Sequence, residues 1–354
     1  MPGVNTPTRY DHDRPGVARM LADEPGYRVD QVWHGLYQLR CEPHDMTSLP
    51  KALRERIELA LPPALAPAAE SVSDDGLTVK WLWTCGDGSQ IESVLMHYDD
   101  RSTVCVSTQS GCAMGCQFCA TGQAGYGRNL TVGEIVEQVI KAQQRADLDD
   151  RRVSNVVFMG MGEPLANYDR LDAAVRRLHA DVGLSARHLT VSTVGLVPGI
   201  DRLAVADLPV NLAVSLHAAN DALRDELVPI NRRYPLGDLE AACARYLEAK
   251  GRRLSFEWAL IAGVNDRPSD AAELAEIAYR LRAHVNLIPL NPTPGYLTRG
   301  TDRAGVVRFR NEVRERGVRV TIRRNRGTEI DAACGQLRAT SGSASVTLRR
   351  SGLD

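Results

Sequence analysis

"TVCVSTQSGCAMGCQFCATG", residues 103–122, runs from an apolar, β-like stretch directly into three cysteines, Cys112, Cys116 and Cys119. Short apolar runs then recur along the chain: "SNVVFMG" (154–160), "HLTVSTVG" (188–195), "VNLAVSLH" (210–217), "RLSFEWALI" (253–261), "HVNLIPLN" (284–291) and "VRVTIRR" (318–324). Helix-like segments lie between most of them. "TVGEIVEQVIKAQQRA" opens with a T-x-x-E capping box, Thr131 and Glu134. "SDAAELAEIAYRLRA" opens at Ser269 and carries an apolar stripe. Strand–helix alternation on this scale predicts an α/β fold, a parallel sheet with helical crossovers. About six or seven units suit a partial or complete (β/α) barrel, and a doubly wound open sheet is the alternative. In either, the loops at the C-terminal strand ends hold the site.

Upstream the pattern differs. "MTSLPKALRERIELAL" (46–61) has helical spacing, with Thr47 or Ser48 as N-cap. "PPALAPAAESVSDDG" (62–76) reads as a linker, and "LTVKWLWTCGDGSQIESVLMHY" (77–98) alternates like a hairpin around Gly86-Asp87-Gly88. The expected division is a small helical domain over 1–75, a β-hairpin linker over 76–99, a barrel core over 100–340 and a tail over 341–354.

Composition narrows the function classes. Hydrophobic residues make up 44% and charged residues 25%, as in a globular protein with a substantial core. The net charge of −1 advertises no nucleic-acid partner, so such contacts must come from local patches. The start lacks the apolar run of a signal peptide, and no stretch approaches a membrane span. A cytoplasmic location without a membrane partner is expected, where thiols stay reduced. The eight cysteines then read as ligands, catalysts or core residues. Cys41, Cys85 and Cys243 acquire no role.

Polar residues cluster where a barrel mouth would be. The cysteine triad follows the first strand, and Gly162 and Glu163 of "MGMGEP" follow the second. Ser192 ends the third, Ser215 and His217 the fourth, and Asn291 the sixth. Taken singly, each is a common strand-end cap; together they define a site. Three cysteines at C-x3-C-x2-C are one short of a closed zinc site, although His217 or Cys334 could supply a fourth ligand. A [4Fe–4S] cluster held by three thiolates instead leaves one iron open. That iron can chelate S-adenosylmethionine, whose reductive cleavage gives a 5′-deoxyadenosyl radical. C-x3-C-x2-C is the motif of the radical SAM family, and Phe118 before the third cysteine resembles that family's pattern. Glycines at the strand end and Glu163 resemble the segment that holds the methionine amino group there. Ser192, Ser215, Leu216, His217 and Asn291 are then further cofactor contacts.

At family level, "GCAMGCQFCATG", "GRNLTVGEIVEQV", "MGMGEPLANY", "VSTVGLVPGI", "SLHAANDALRDELVPINRRYPL", "NLIPLNPTPG" and "RGTEIDAACGQL" resemble the bacterial RlmN family. The resemblance implies a radical SAM partial (β/α) barrel and methylation of adenine C2 in 23S rRNA and in tRNA, 3′ to the anticodon. It implies two molecules of S-adenosylmethionine per turnover. One methylates Cys334, and the other generates the radical that takes a hydrogen from the S-methyl group. The methylene carbon adds to C2, Glu92 accepts the C2 proton, and Cys105 attacks the Cys334 sulfur to release methylated RNA and leave a disulfide. An electron donor of flavodoxin type and a monomeric state are implied as well. Residues 303–326 carry nine arginines and two acids, a candidate phosphate grip, and "GYGRNL" (Tyr126, Arg128, Asn129) is a second candidate RNA contact. Two other readings stay open: a Cfr-type adenine C8 methyltransferase, and a non-catalytic zinc-stabilised RNA-binding protein.

Overall fold

In a computed structural model, residues 7–293, 295–323 and 326–337 are described. The predicted tail 341–354, Arg324 of the arginine stretch and Pro294 of "NPTPG" lie outside them. All seven predicted core strands form: β4 (Ser102–Cys105), β7 (Val153–Phe158), β8 (Leu189–Thr193), β9 (Asn211–Ser215), β10 (Leu254–Leu260), β11 (His284–Pro289) and β12 (Val320–Ile322). They lie side by side in that order, each parallel to the next. Most of their Val, Ile, Leu and Phe side chains are buried because crossover helices cover the sheet. Among the described residues the order runs open from one edge to the other without closing, as in a partial barrel.

Three antiparallel strands extend the sheet beyond β4: β1 (Leu65–Val72), β2 (Thr78–Cys85) and β3 (Gln90–His97). The stretch expected to be a linker is therefore largely β1. Its small and Pro-rich composition hid a strand whose outer positions are exposed on a sheet edge. The predicted hairpin of β2 and β3 forms around Gly88, but as two strands of the main sheet and not a tether.

The helices follow the expected pattern with two shifted starts. α5 (Val132–Asp147) has the capping box, with Glu134 N–H donating to Thr131 Oγ1 (3.1 Å) and Thr131 N–H to Glu134 Oε2 (2.8 Å). α3 (Lys51–Ala60) starts after Pro50, not at Thr47 or Ser48, and α10 (Pro268–Arg280) starts one residue before Ser269 with Arg267 as N-cap. Proline beside each boundary pre-sets the backbone, and Asp270 accepts the Arg267 N–H (2.9 Å). The N-terminal helices dock on the core. Asp11 accepts the Gly133 N–H (2.7 Å), and the Glu137 carboxylate of α5 accepts the Ala64 N–H (2.7 Å). One apolar core runs from Val17 and Leu36 through to Val313. Among the described residues no helix is long and apolar enough to cross a membrane.

Candidate active site

A cleft opens at the C-terminal ends of the parallel strands. Cys112, Cys116 and Cys119 line it. They are held there by a closed loop. β5 (Gln109–Gly111) pairs antiparallel with β6 (Tyr126–Asn129), Cys112 N–H donates to the Gly125 carbonyl (2.8 Å), and Cys119 N–H to the Cys116 carbonyl (3.1 Å). Burial raises the Cys112 thiol to about 11 and pushes Cys116 higher still, helped by the neighbouring sulfurs. Thiols so placed give up their protons to a metal. Among the described residues no three His, Cys, Asp or Glu side chains close around a single ion. Three sulfurs spaced around one cavity suit the wider footprint of a four-iron cluster better than mononuclear zinc. Buried Arg224, within electrostatic reach of Cys116, adds a positive charge behind the thiolates. Its guanidinium donates to the carbonyls of Leu216 (3.1 Å) and Val194 (2.7 Å) and so ties the ends of β8 and β9 together.

The other strand ends complete the wall. Gly162 has φ +100°, and a Cβ there would lie 2.5 Å from Gln109 Cβ. We expect Gly162→Ala to cost at least about 2 kcal/mol through strain plus overlap. Urea unfolding would measure it, and an unchanged midpoint would contradict the tight approach. Glu163 lines the cleft, but its oxygens already accept the N–H groups of Leu165 (3.1 Å) and Val194 (2.9 Å). It therefore clamps β7 to β8, leaving its remaining lone pairs and the glycine backbone for a ligand ammonium. Burial raises its carboxyl to about 7. His217 has φ 59°, an uncommon conformation for a non-glycine residue that clusters at functional sites. Its Nδ1 accepts the Ala259 N–H (3.0 Å), which places the proton on Nε2, and its ring packs edge-on against Phe118 at 4.8 Å. Burial holds it neutral, with a pKa of about 3.

The segment around Cys334 lines the cleft as well. Ala120 N–H, just past the third cysteine, donates to the Gly335 carbonyl (2.8 Å), and Asn291 Nδ2 donates to the Cys334 carbonyl (3.0 Å). Cys334 is thereby exposed to the cleft, which Cys105 lines from β4. Burial raises the Cys105 thiol to about 12, and Arg323 opposes the rise at both cysteines.

Cys105, Cys112, Cys116, Cys119, Gly162, Glu163, Ser192, Ser215, His217, Asn291 and Cys334 thus meet in one cleft. Leu216 stands behind the wall, its N–H on the Glu257 carbonyl (3.0 Å). Glu92 does not reach the lining. It is buried on β3, paired with Lys80 Nζ (3.2 Å), and lies on the strand face whose next members, Val94 and Met96, do line the cleft. Sequence reading missed Glu257 and Arg224, and it placed Arg323 in a phosphate grip and not in the cleft. Glu257 had a signal: a charge at the centre of an otherwise apolar strand.

The candidate RNA contacts divide. Arg303, Arg308, Arg314, Arg316 and Arg319 are exposed, whereas Arg323 lines the cleft and Arg326 donates to the His97 carbonyl (3.1 Å). Arg128 is neutralised by Asp87 and Glu134 and is not a free phosphate grip.

The chain matches the Radical SAM superfamily over residues 106–275. It is 54% identical over 340 residues to a protein of Frankia casuarinae named "Probable dual-specificity RNA methyltransferase RlmN", covering 92% of this chain and 80% of that one. A protein of the same name from Mycobacterium bovis is 49% identical, with 96% and 98% covered. The crystal structure of a radical SAM methyltransferase from Sphaerobacter thermophilus superposes with a TM-score of 0.92 at 50% identity, covering 94% of this chain and all of that one.

Proposed function

The chain belongs to the RlmN family and is a radical SAM RNA methyltransferase dependent on S-adenosylmethionine, and on that premise we propose that it methylates adenine C2 in 23S rRNA and, 3′ to the anticodon, in tRNA. The observation that carries this reading is the pair Cys105 and Cys334, which line one cleft with the cysteine triad. Ordinary displacement is closed to adenine C2, an electron-poor carbon that cannot attack a methyl donor. A methyl group carried on a cysteine sulfur, and released by a second cysteine, meets that difficulty.

Cys112, Cys116 and Cys119 would hold the cluster, and the ends of β7, β8, β9 and β11 would hold S-adenosylmethionine through Gly162, Glu163, Ser192, Ser215, His217 and Asn291. Together these groups supply one-electron cleavage of a sulfonium bond and hence hydrogen abstraction. The chain's residues do the rest. Cys334 carries the methyl carbon and joins it to the base. Glu92 receives the C2 proton, for which the β3 strand must present it beyond Lys80. Cys105 cleaves the adduct at the Cys334 sulfur. Two molecules of S-adenosylmethionine are consumed, one for the methyl group and one for the abstraction. Reducing equivalents come from a flavodoxin-type protein, and the enzyme works as a monomer in the cytoplasm.

The test is mass spectrometry of nucleosides from substrate RNA after incubation with anaerobically reconstituted protein, a reductant and S-adenosylmethionine. We expect 2-methyladenosine. A peak of 8-methyladenosine would keep the cysteine chemistry and move the regiochemistry to the Cfr type.

A further inference from the structure

Glu257 sits at the middle of β10, where neighbouring strands place Ser215, Asn286 and Thr321 in one row across the sheet. Thr321 Oγ1 donates to Asn286 Oδ1 (2.7 Å), and Asn286 Nδ2 donates to Glu257 Oε1 (2.8 Å). This chain of bonds orients the carboxylate and uses one of its oxygens. The other, Oε2, is buried and has no hydrogen-bond partner among the described residues. The side chain is 4% exposed and lines the cleft with Cys105, Arg323 and Cys334. A buried oxygen without a donor is costly, and such groups persist where a ligand completes them. Burial raises the Glu257 carboxyl, and Arg323, within electrostatic reach of Glu257 and both cysteines, opposes that rise in favour of the ionised, accepting form.

The missing partner is an N–H or O–H donor next to the methyl-carrying sulfur. We propose that Glu257 Oε2 accepts a hydrogen bond from the exocyclic amino group of the target adenine and so selects the base. This rests on the reading that adenine is the target. Guanine would set its carbonyl oxygen against the carboxylate, two acceptors face to face, and would be rejected. Ser215 in the same row belongs to the proposed cofactor site, so a ribose hydroxyl of S-adenosylmethionine is the competing donor.

Two anticodon stem-loop RNAs separate these sources, one with adenine and one with purine, which lacks the amino group, at the position 3′ to the anticodon. Their affinities for reconstituted wild type, Glu257→Gln and Glu257→Ala are measured by fluorescence anisotropy, and the affinity for S-adenosylmethionine in parallel. Wild type should prefer adenine by about tenfold or more, as expected for a hydrogen bond to a charged acceptor. Both variants should bind the two RNAs within about twofold of each other. A merely structural defect weakens both RNAs alike and leaves the preference standing. The proposal falls if wild type shows no preference, or if the preference survives in both variants. It falls equally if the variants lose cofactor affinity while keeping the preference, which assigns Oε2 to the ribose. The product formed on the adenine RNA reports separately on the C2 reading.

Discussion

Cys116→Ala should leave a folded protein that, after anaerobic reconstitution, holds no intact iron–sulfur cluster and cleaves S-adenosylmethionine no faster than a protein-free control. Cys116 is the most buried of the three candidate ligands and packs in a small apolar cluster with Phe118, Ala218, Leu227 and Val228. Alanine there removes a sulfur and little else. A cluster reduced from three protein thiolates to two loses a ligand that the triad loop cannot replace. Cys105 and Cys334 are the only other described thiols lining the cleft, while Cys41, Cys85 and Cys243 do not reach it. Iron and sulfide content, visible absorption and 5′-deoxyadenosine release measure the loss, and circular dichroism checks the fold. Cleavage at the wild-type rate would overturn the ligand assignment. Zinc in place of iron in the wild-type protein would return the triad to a structural site.

The sequence made the barrel legible because parallel strands, buried on both faces, read as continuous apolar runs, and all seven appear. β1 was not legible, since an edge strand with exposed positions and a proline lacks that signature. The cysteine loop and strand-end polar residues were legible as spacing alone, because position after a strand fixes which end of the sheet they occupy. What depends on tertiary neighbours was hidden. Arg323 looked like one more member of a basic stretch, and only the fold turns it towards Cys105 and Cys334. Arg128 looked available to RNA until Asp87, forty-one residues away in the chain, folded beside it. Glu163 looked like a ligand for an ammonium group, and its backbone clamps on β8 emerge only with the strands side by side. Charge type is written in the sequence, whereas charge partnership is written in the contacts.

Cys105→Ala should convert the enzyme from a catalyst into a trap. If Cys334 joins its methylene carbon to the base, release requires a thiolate to attack the Cys334 sulfur. The S–CH2 bond then breaks, its electron pair goes to the carbon, and that carbon takes a proton to become the methyl group. The two cysteine sulfurs become a disulfide, which a reductant must open before the next turnover. Cys105 is placed for this attack on the end of β4, across the cleft from the turn that carries Cys334. Arg323 beside both sulfurs opposes the rise in thiol pKa that burial imposes, and so favours the attacking thiolate. Without Cys105, no described cysteine other than Cys334 itself and the proposed cluster ligands lines the cleft. We expect at most about one RNA consumed per enzyme, retained as a covalent complex on a denaturing gel and lost again in Cys105→Ala/Cys334→Ala. Peptide mapping should place the RNA on Cys334. Multiple turnovers of free methylated RNA by Cys105→Ala would remove the resolving role, and an adduct that persists in the double variant would move the methyl carrier elsewhere.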